Sequence, residues 1–231
     1  MKLVFKKLLT IIIVLFFVEQ VFAESFSASY RVELGPLDLG TLKWKLKIEK
    51  NNYTTSMSLE DRGLMSTLYK FNGSYFAEGR VIDDYFISNK YTQLWETKKK
   101  KRNVAMVFKG NKVYSLNLIP EEIESPRINY LEIKNLNDPL TSFMNILLDK
   151  KNTHKTIDGR RVYKMAKKSE SSTGSVVTKK IIITEYVNIW ADHNRNDLKF
   201  IQTTQNISDD EYFPILIKIK NKGLIFKLSK I

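Results

Sequence analysis

The sequence has no cysteine, two histidines, five prolines and nine glycines in 231 residues. Without a thiol there is no disulfide, no thiolate metal site, no thiol nucleophile and no acylated N-terminal cysteine of the lipoprotein kind. His154 and His193 stand in polar, turn-like segments. Neither has neighbours in sequence to complete the three or four ligands of a metal site. No serine has the nucleophile-elbow context, and no glycine-rich loop opens a helix, so no phosphate-cradling motif is present. No cofactor is expected. Asp83-Asp84, Glu121-Glu122 and Asp209-Asp210 are adjacent carboxylates. Neighbours on a strand point to opposite faces, so these pairs read as turn formers and solvated charge. A hydrolytic pair would have to be assembled from distant positions.

Long apolar runs are also missing, with one short exception. Lys2, Lys6 and Lys7 precede the run Leu8 to Val18, and Val21-Phe22-Ala23 offers small-residue positions before Glu24. This is the order of a secretory signal peptide with a cut after Ala23. The run is about half the roughly 20 residues that a spanning helix needs, and Glu19-Gln20 ends it; retention as an anchor is the competing reading. Cleavage leaves one domain, residues 24–231. The expectation is a periplasmic or secreted protein, not integral to the membrane once cut.

Charge is abundant and predominantly positive. The formal net charge is +13, carried mostly by lysine. Base-reading proteins lean on arginine, and export removes nucleic acid as a partner. Two readings remain for the charge: attraction to an anionic envelope lipid or another envelope protein, or a lysine-rich composition without a partner.

What remains is β pattern. Phe26, Ala28, Tyr30, Val32 and Leu34 alternate with polar residues, and so do Leu42, Trp44, Leu46 and Ile48. Period two marks strands with one buried face. Similar segments recur at Tyr53–Leu59, Tyr85–Lys98, Asn103–Lys109, Val113–Leu118, Val176–Trp190, Leu198–Ile207, Pro214–Lys220 and Leu224–Leu228. Asp158-Gly159 reads as a hairpin tip. Ile128–Ile133 reads as a short strand, Lys167–Ser175 as a mobile loop, and Leu64–Phe71 fits helix or strand. One helix is expected over about 138–149, with Asp138 as N-cap, Pro139 at the first position, and Leu140, Phe143, Met144, Leu147 and Leu148 on one face. So many strands and one amphipathic helix predict a mainly β fold. It is a large curved antiparallel sheet or partly open barrel, with the helix on the concave side. A two-sheet β-sandwich is the alternative.

Two sets of residues are candidates for contact. Lys98, Lys99, Lys100, Lys101 and Arg102, with Trp95 beside them, form a basic hairpin tip suited to anionic headgroups, or simply a solvated turn. Trp44, Met57, Phe143, Met144 and Leu147 line a cavity under the helix if one exists, or are plain core.

The strand Tyr30-Arg31-Val32 with Gly40 after it, Asp138-Pro139-Leu140, Asp158-Gly159-Arg160-Arg161-Val162-Tyr163 and Asn188-Ile189-Trp190-Ala191-Asp192 occur in that order. Together they resemble a family of exported bacterial β-rich proteins known as a domain of unknown function. Family members often carry cysteine, and a proline where Lys199-Phe200 stands here. The resemblance implies a periplasmic β-rich protein and transfers no catalytic residue. The expected role is non-enzymatic binding or envelope maintenance, with an apolar or acyl ligand under the helix. A protein-interaction module and an envelope-polymer hydrolase are the other two readings.

Overall fold

The alternating segments pair in the order they occur in the chain. A computed structural model describes residues 23–61, 71–98, 100–190, 197–206 and 212–231. The expected leader, apart from Ala23, lies outside the described residues, as do Lys99, His193, Asp209-Asp210 and nearly all of Leu64–Phe71. The strands are β1 (Ala23–Leu34), β2 (Leu37–Glu49), β3 (Asn52–Asp61), β4 (Phe71–Ile82), β5 (Tyr85–Thr97), β6 (Lys101–Lys109) and β7 (Lys112–Ile119). After a strap, residues 120–135, come β8 (Leu136–Asn137) and the single described helix α1 (Pro139–Leu147). The chain closes with β9 (Thr153–Ile157), β10 (Arg161–Thr173), β11 (Val176–Asn188), β12 (Leu198–Asn206), β13 (Leu216–Asn221) and β14 (Leu224–Lys230).

All fourteen strands form one sheet in the order β7-β6-β5-β4-β3-β2-β1-β14-β13-β12-β11-β10-β9-β8. It is antiparallel except for the short β8–β9 pair. A twisted sheet this wide curls, and here it becomes a nearly closed barrel around α1. The expected curved sheet with one helix inside is therefore the fold, and the sandwich is not. Bulges at Val32/Glu33, Glu78/Gly79 and Val107/Phe108 help the strands bend.

The meander sorts the turns between two ends. Lys50-Asn51, Asp83-Asp84 and Gly110-Asn111 lie at one end, where α1 sits. At the far end lie Gly35-Pro36, Lys98 and Lys100, Asp158 to Arg160 and Lys222-Gly223.

The inner face carries two apolar clusters. One gathers Tyr30, Trp44, Phe143, Met144 and Ile181, and the other Tyr91, Val104, Met106, Leu140 and Ile157. The helix supplies both. Residues 140–147 are all buried, including Thr141, Ser142 and Asn145. The expected single apolar stripe is thus only part of the helix surface. The polar tips of two core aromatics are satisfied: Tyr30 Oη donates to Pro214 O at 2.8 Å and Trp44 Nε1 to Thr55 Oγ1 at 2.9 Å.

Three local expectations change. Lys167–Ser175 is a regular hairpin, with β10 and β11 paired from Lys167↔Ile181 to Thr173↔Val176 around Gly174-Ser175. Its β10 arm and tip, residues 168–175, are exposed throughout and show no alternation, while Val177, Lys179 and Ile181 on the β11 arm are buried. Ile128–Ile133 forms no strand; it belongs to the strap, where Ile128, Tyr130 and Ile133 pack on the second cluster. His154 is buried on β9 rather than exposed in a turn.

The barrel's seam, between β7 and the β9–β10 hairpin, is closed by side chains and the strap. Arg127 N donates to Ile189 O at 2.7 Å, Arg160 Nε to Glu122 Oε1 at 2.8 Å, and Trp190 Nε1 to Gly159 O at 3.2 Å. Gly159 has φ +90, and a Cβ there would stand 2.6 Å from Val104 Cγ1. Only glycine lets the hairpin tip reach the β6–β7 wall. Gly159→Ala is expected to lower unfolding free energy by about 2–3 kcal/mol. Urea denaturation reads this directly, and an unchanged midpoint would show that the seam is loose.

Candidate functional site

The helix is held by a polar frame, and its chemistry comes first because it resembles a reactive constellation. Asp138 is the N-cap: Thr141 N donates to Oδ1 at 3.0 Å, and the Ser88 hydroxyl to Oδ2 at 2.6 Å. Thr141 Oγ1 also reaches Oδ2, and Tyr53 Oη lies 2.5 Å from Thr141 Oγ1. Burial pushes the Asp138 carboxyl above its ordinary range, opposed by the hydrogen bonds from Ser88 and Thr141. Burial likewise drives the Tyr53 phenol well up. Asp138 and Thr141 are fully buried and Ser88 nearly so. A substrate has no approach to them; they are anchors.

Asn145 completes the frame. Its Oδ1 accepts from Phe86 N at 2.9 Å and its Nδ2 donates to Phe86 O at 2.8 Å. Pairing of β6 with β5 stops at Lys90↔Val107, which leaves the start of β5 without a strand on that side. The Asn145 amide takes the place of the missing strand, and Asn137 Oδ1 does the same for Ser88 N at 3.2 Å. At the other end of α1, Lys179 Nζ donates to Leu147 O at 2.7 Å and to Asp149 Oδ2 at 2.5 Å. Burial would raise the Asp149 carboxyl, but hydrogen bonds from Lys179 and Lys167 outweigh it and hold it below the usual range.

Above the C-terminal end of α1 the barrel opens into a cleft of about 750 Å³. Its apolar lining is Ile48, Val81, Phe86, Leu148 and Tyr212. Phe86 stands edge-on to Tyr53 with ring centroids 4.9 Å apart, and Tyr212 lies 4.0 Å from Phe26. Lys50 and Lys150 face Glu24, Asp83 and Asp84 around the rim. Lys150 Nζ is 3.8 Å from Asp84 Oδ2. Asp83 and Asp84 both have positive φ and form the exposed β4–β5 turn. They bring two carboxylates to a cleft, but on its wet rim. A general acid needs a desolvated seat to hold its proton at neutral pH.

The sequence-derived candidates fall elsewhere. Trp44, Phe143, Met144 and Leu147 are buried in the first cluster, where Trp44 meets Phe143 at 5.6 Å and Phe213 at 4.7 Å. Met57 is half-buried between the two clusters. None of the five lines the cleft. Lys98, Lys100, Lys101 and Arg102 are exposed at the far end, on the β5–β6 tip. Thr97 N donates to Lys100 O at 2.8 Å and shapes that tip. Trp95 pairs across the ladder with Arg102. Among the described residues no group of three or more His, Asp or Glu is placed to hold a metal ion. The cleft residues come from five separated segments, and only the topology brings them together.

Comparison with family models, with curated proteins and with solved structures finds no match.

His154 offers a direct probe of the plug region. Its Nε2 is buried without a hydrogen-bond partner. Burial, helped by nearby Lys151, pushes its pKa down from 6.5 to about 4. The folded state therefore holds the ring neutral, while the unfolded chain takes up a proton below about pH 6.5. Stability tied to this group is full above pH 6.5 and is lost as pH falls toward 4, by about 3 kcal/mol. Unfolding free energies measured from pH 7 to 4 should fall less steeply in His154→Gln than in the parent. Parallel curves would place the ring in water.

Proposed function

We propose that the protein is an exported, non-catalytic binding protein of the cell envelope, and that its ligand site is the cleft over the C-terminal end of α1. One observation carries this reading: a largely polar cleft of about 750 Å³ in which Ile48, Val81, Phe86, Leu148 and Tyr212 are the apolar lining, beside the hydrogen-bonded frame of α1. That volume lies within the range of roughly 300–1,000 Å³ seen for small-molecule sites. Phe86 and Leu148 offer a floor for the apolar part of an amphipathic ligand, and Lys50 and Lys150 offer cations for a polar head. The space beneath the helix is taken up by Trp44, Phe143 and Phe213 in mutual contact. An acyl or other apolar group therefore belongs on the outer side of α1.

The non-catalytic part of the reading is supported by the fate of the polar groups. Asp138, Ser88, Thr141 and Tyr53 spend their hydrogen bonds on one another and on the helix. The leader-like start of the sequence supports export, and the resemblance to the exported β-rich family belongs to the same reading.

Native mass spectrometry of the protein extracted from the envelope in which it is made tests the proposal. A bound species of small mass is expected, and Asn51→Trp, at an exposed position that lines the cleft, should lose it while keeping the parent's melting temperature. No bound species in the parent, or one retained by the variant, would overturn the cleft as the site. A crosslinked protein partner in its place would favour an interaction module.

A further inference from the structure

The two ends of the barrel differ in chemistry. At the cleft end the turns are Lys50-Asn51, Asp83-Asp84, Gly110-Asn111 and Gly174-Ser175. At the far end two neighbouring hairpins carry bare aliphatic side chains. Strands β1 and β14 pair through Leu34↔Phe226, which sets the β1–β2 turn beside the β13–β14 turn. Leu37 on the first is 52% exposed, and Leu224 and Ile225 on the second are 48% and 49% exposed. Lys222, at the tip of the second hairpin, is exposed as well. Further round the same end, the β5–β6 tip carries Lys98, Lys100, Lys101 and Arg102, with Trp95 39% exposed.

Among the described acids at this end, Glu122 pairs with Arg160 at 2.8 Å, Asp158 with Arg161 at 2.8 Å, Glu33 with Lys227 at 3.1 Å and Asp38 with Arg31 at 3.9 Å, and Glu96 lies across the ladder from Lys101. Glu121 and Glu124 lie on the strap, with the fully exposed Ile123 between them. The walls of the barrel are polar outside: Lys43, Lys45 and Lys47 alternate outward on β2, with Ser56 and Ser58 on β3 across from them. A barrel sitting in a bilayer needs an apolar band there. Exposed apolar side chains stand at the cleft end as well, Ile82 at 40% and Tyr85 at 42%, but there they flank the acidic Asp83-Asp84 turn, whereas Leu37, Leu224 and Ile225 share their end with Lys222 and the β5–β6 lysines.

We infer that the far end docks on an anionic phospholipid bilayer surface. Leu37, Leu224 and Ile225 enter the headgroup layer, while Lys222 and the Lys98–Arg102 tip lie over the phosphates. Aliphatic residues standing bare in turns cost solubility without a covering surface. Lysines around them match a negative surface, each adding attraction that falls off within a Debye length. Trp95, with its ring beside Arg102, suits the interface. The docking end and the cleft are opposite, so a bound protein keeps its cleft open to solution. Failure of either idea leaves the other standing.

Cosedimentation of residues 24–231 with phosphatidylcholine vesicles, with and without phosphatidylglycerol, tests it. Binding is expected only with phosphatidylglycerol and should weaken with salt. Replacing Lys100, Lys101 and Lys222 by glutamine should lower the partition coefficient about a hundredfold, at about fivefold per basic residue. The Leu37→Ser/Leu224→Ser double variant should lower it at least tenfold at unchanged net charge and unchanged melting temperature. Lys109→Gln, on the exposed β6–β7 turn at the cleft end and outside the cleft, should leave it unchanged. Equal binding to neutral vesicles, no binding at all, or full binding by either far-end variant would overturn the proposal.

Discussion

A helix buried on every side imposes the strictest condition in this molecule. Each polar group that α1 brings inside must find a partner, because an unpaired buried donor or acceptor costs roughly 1–3 kcal/mol. The chain meets the condition with side chains that imitate backbone. Asn145 takes both polar groups of Phe86, Asp138 caps the first turn and collects two hydroxyls, and Lys179 covers the last carbonyl. These bonds tie α1 to β3, β5 and β11, strands on different sides of the barrel. The helix therefore sets the curvature of the sheet as well as filling it.

The same condition explains why the cleft end and the far end differ. At the cleft end the helix lies across the barrel, and the cleft opens above it, where Leu148 and Lys150 emerge. At the far end the strands themselves close over aliphatic residues, and the hairpin tips are left to meet the surroundings. Under the two proposals, a ligand sits over α1 at the first end and a membrane surface meets the exposed apolar tips at the second.

Much of this architecture is legible in the sequence, because period-two alternation reports burial of one face and most strands here bury one face. Asp138-Pro139 announces the helix through local chemistry alone. What fails is whatever depends on distant neighbours. The hairpin of residues 167–175 reads as a loop because neither face is buried. His154 reads as a turn residue because its burial comes from the fold around it. Thr141, Ser142 and Asn145 look like the wet face of an amphipathic helix, since nothing local reveals a β5 edge waiting for Asn145. The contact residues show the same divide. The Lys98–Arg102 run stands out in the sequence, whereas Leu37, Leu224 and Ile225 are ordinary turn neighbours until pairing of β1 with β14 puts them side by side.

The central claim is that α1 is an integral strut of the barrel and not a helix laid against it. Native-state hydrogen exchange measures this most directly. The account predicts that the amides of Phe143 to Leu147 exchange only through global unfolding, with the same free energy and the same denaturant dependence as Leu46 on β2 and Ile181 on β11. Exchange of the helix through a smaller local opening, while those strands stay protected, would contradict it.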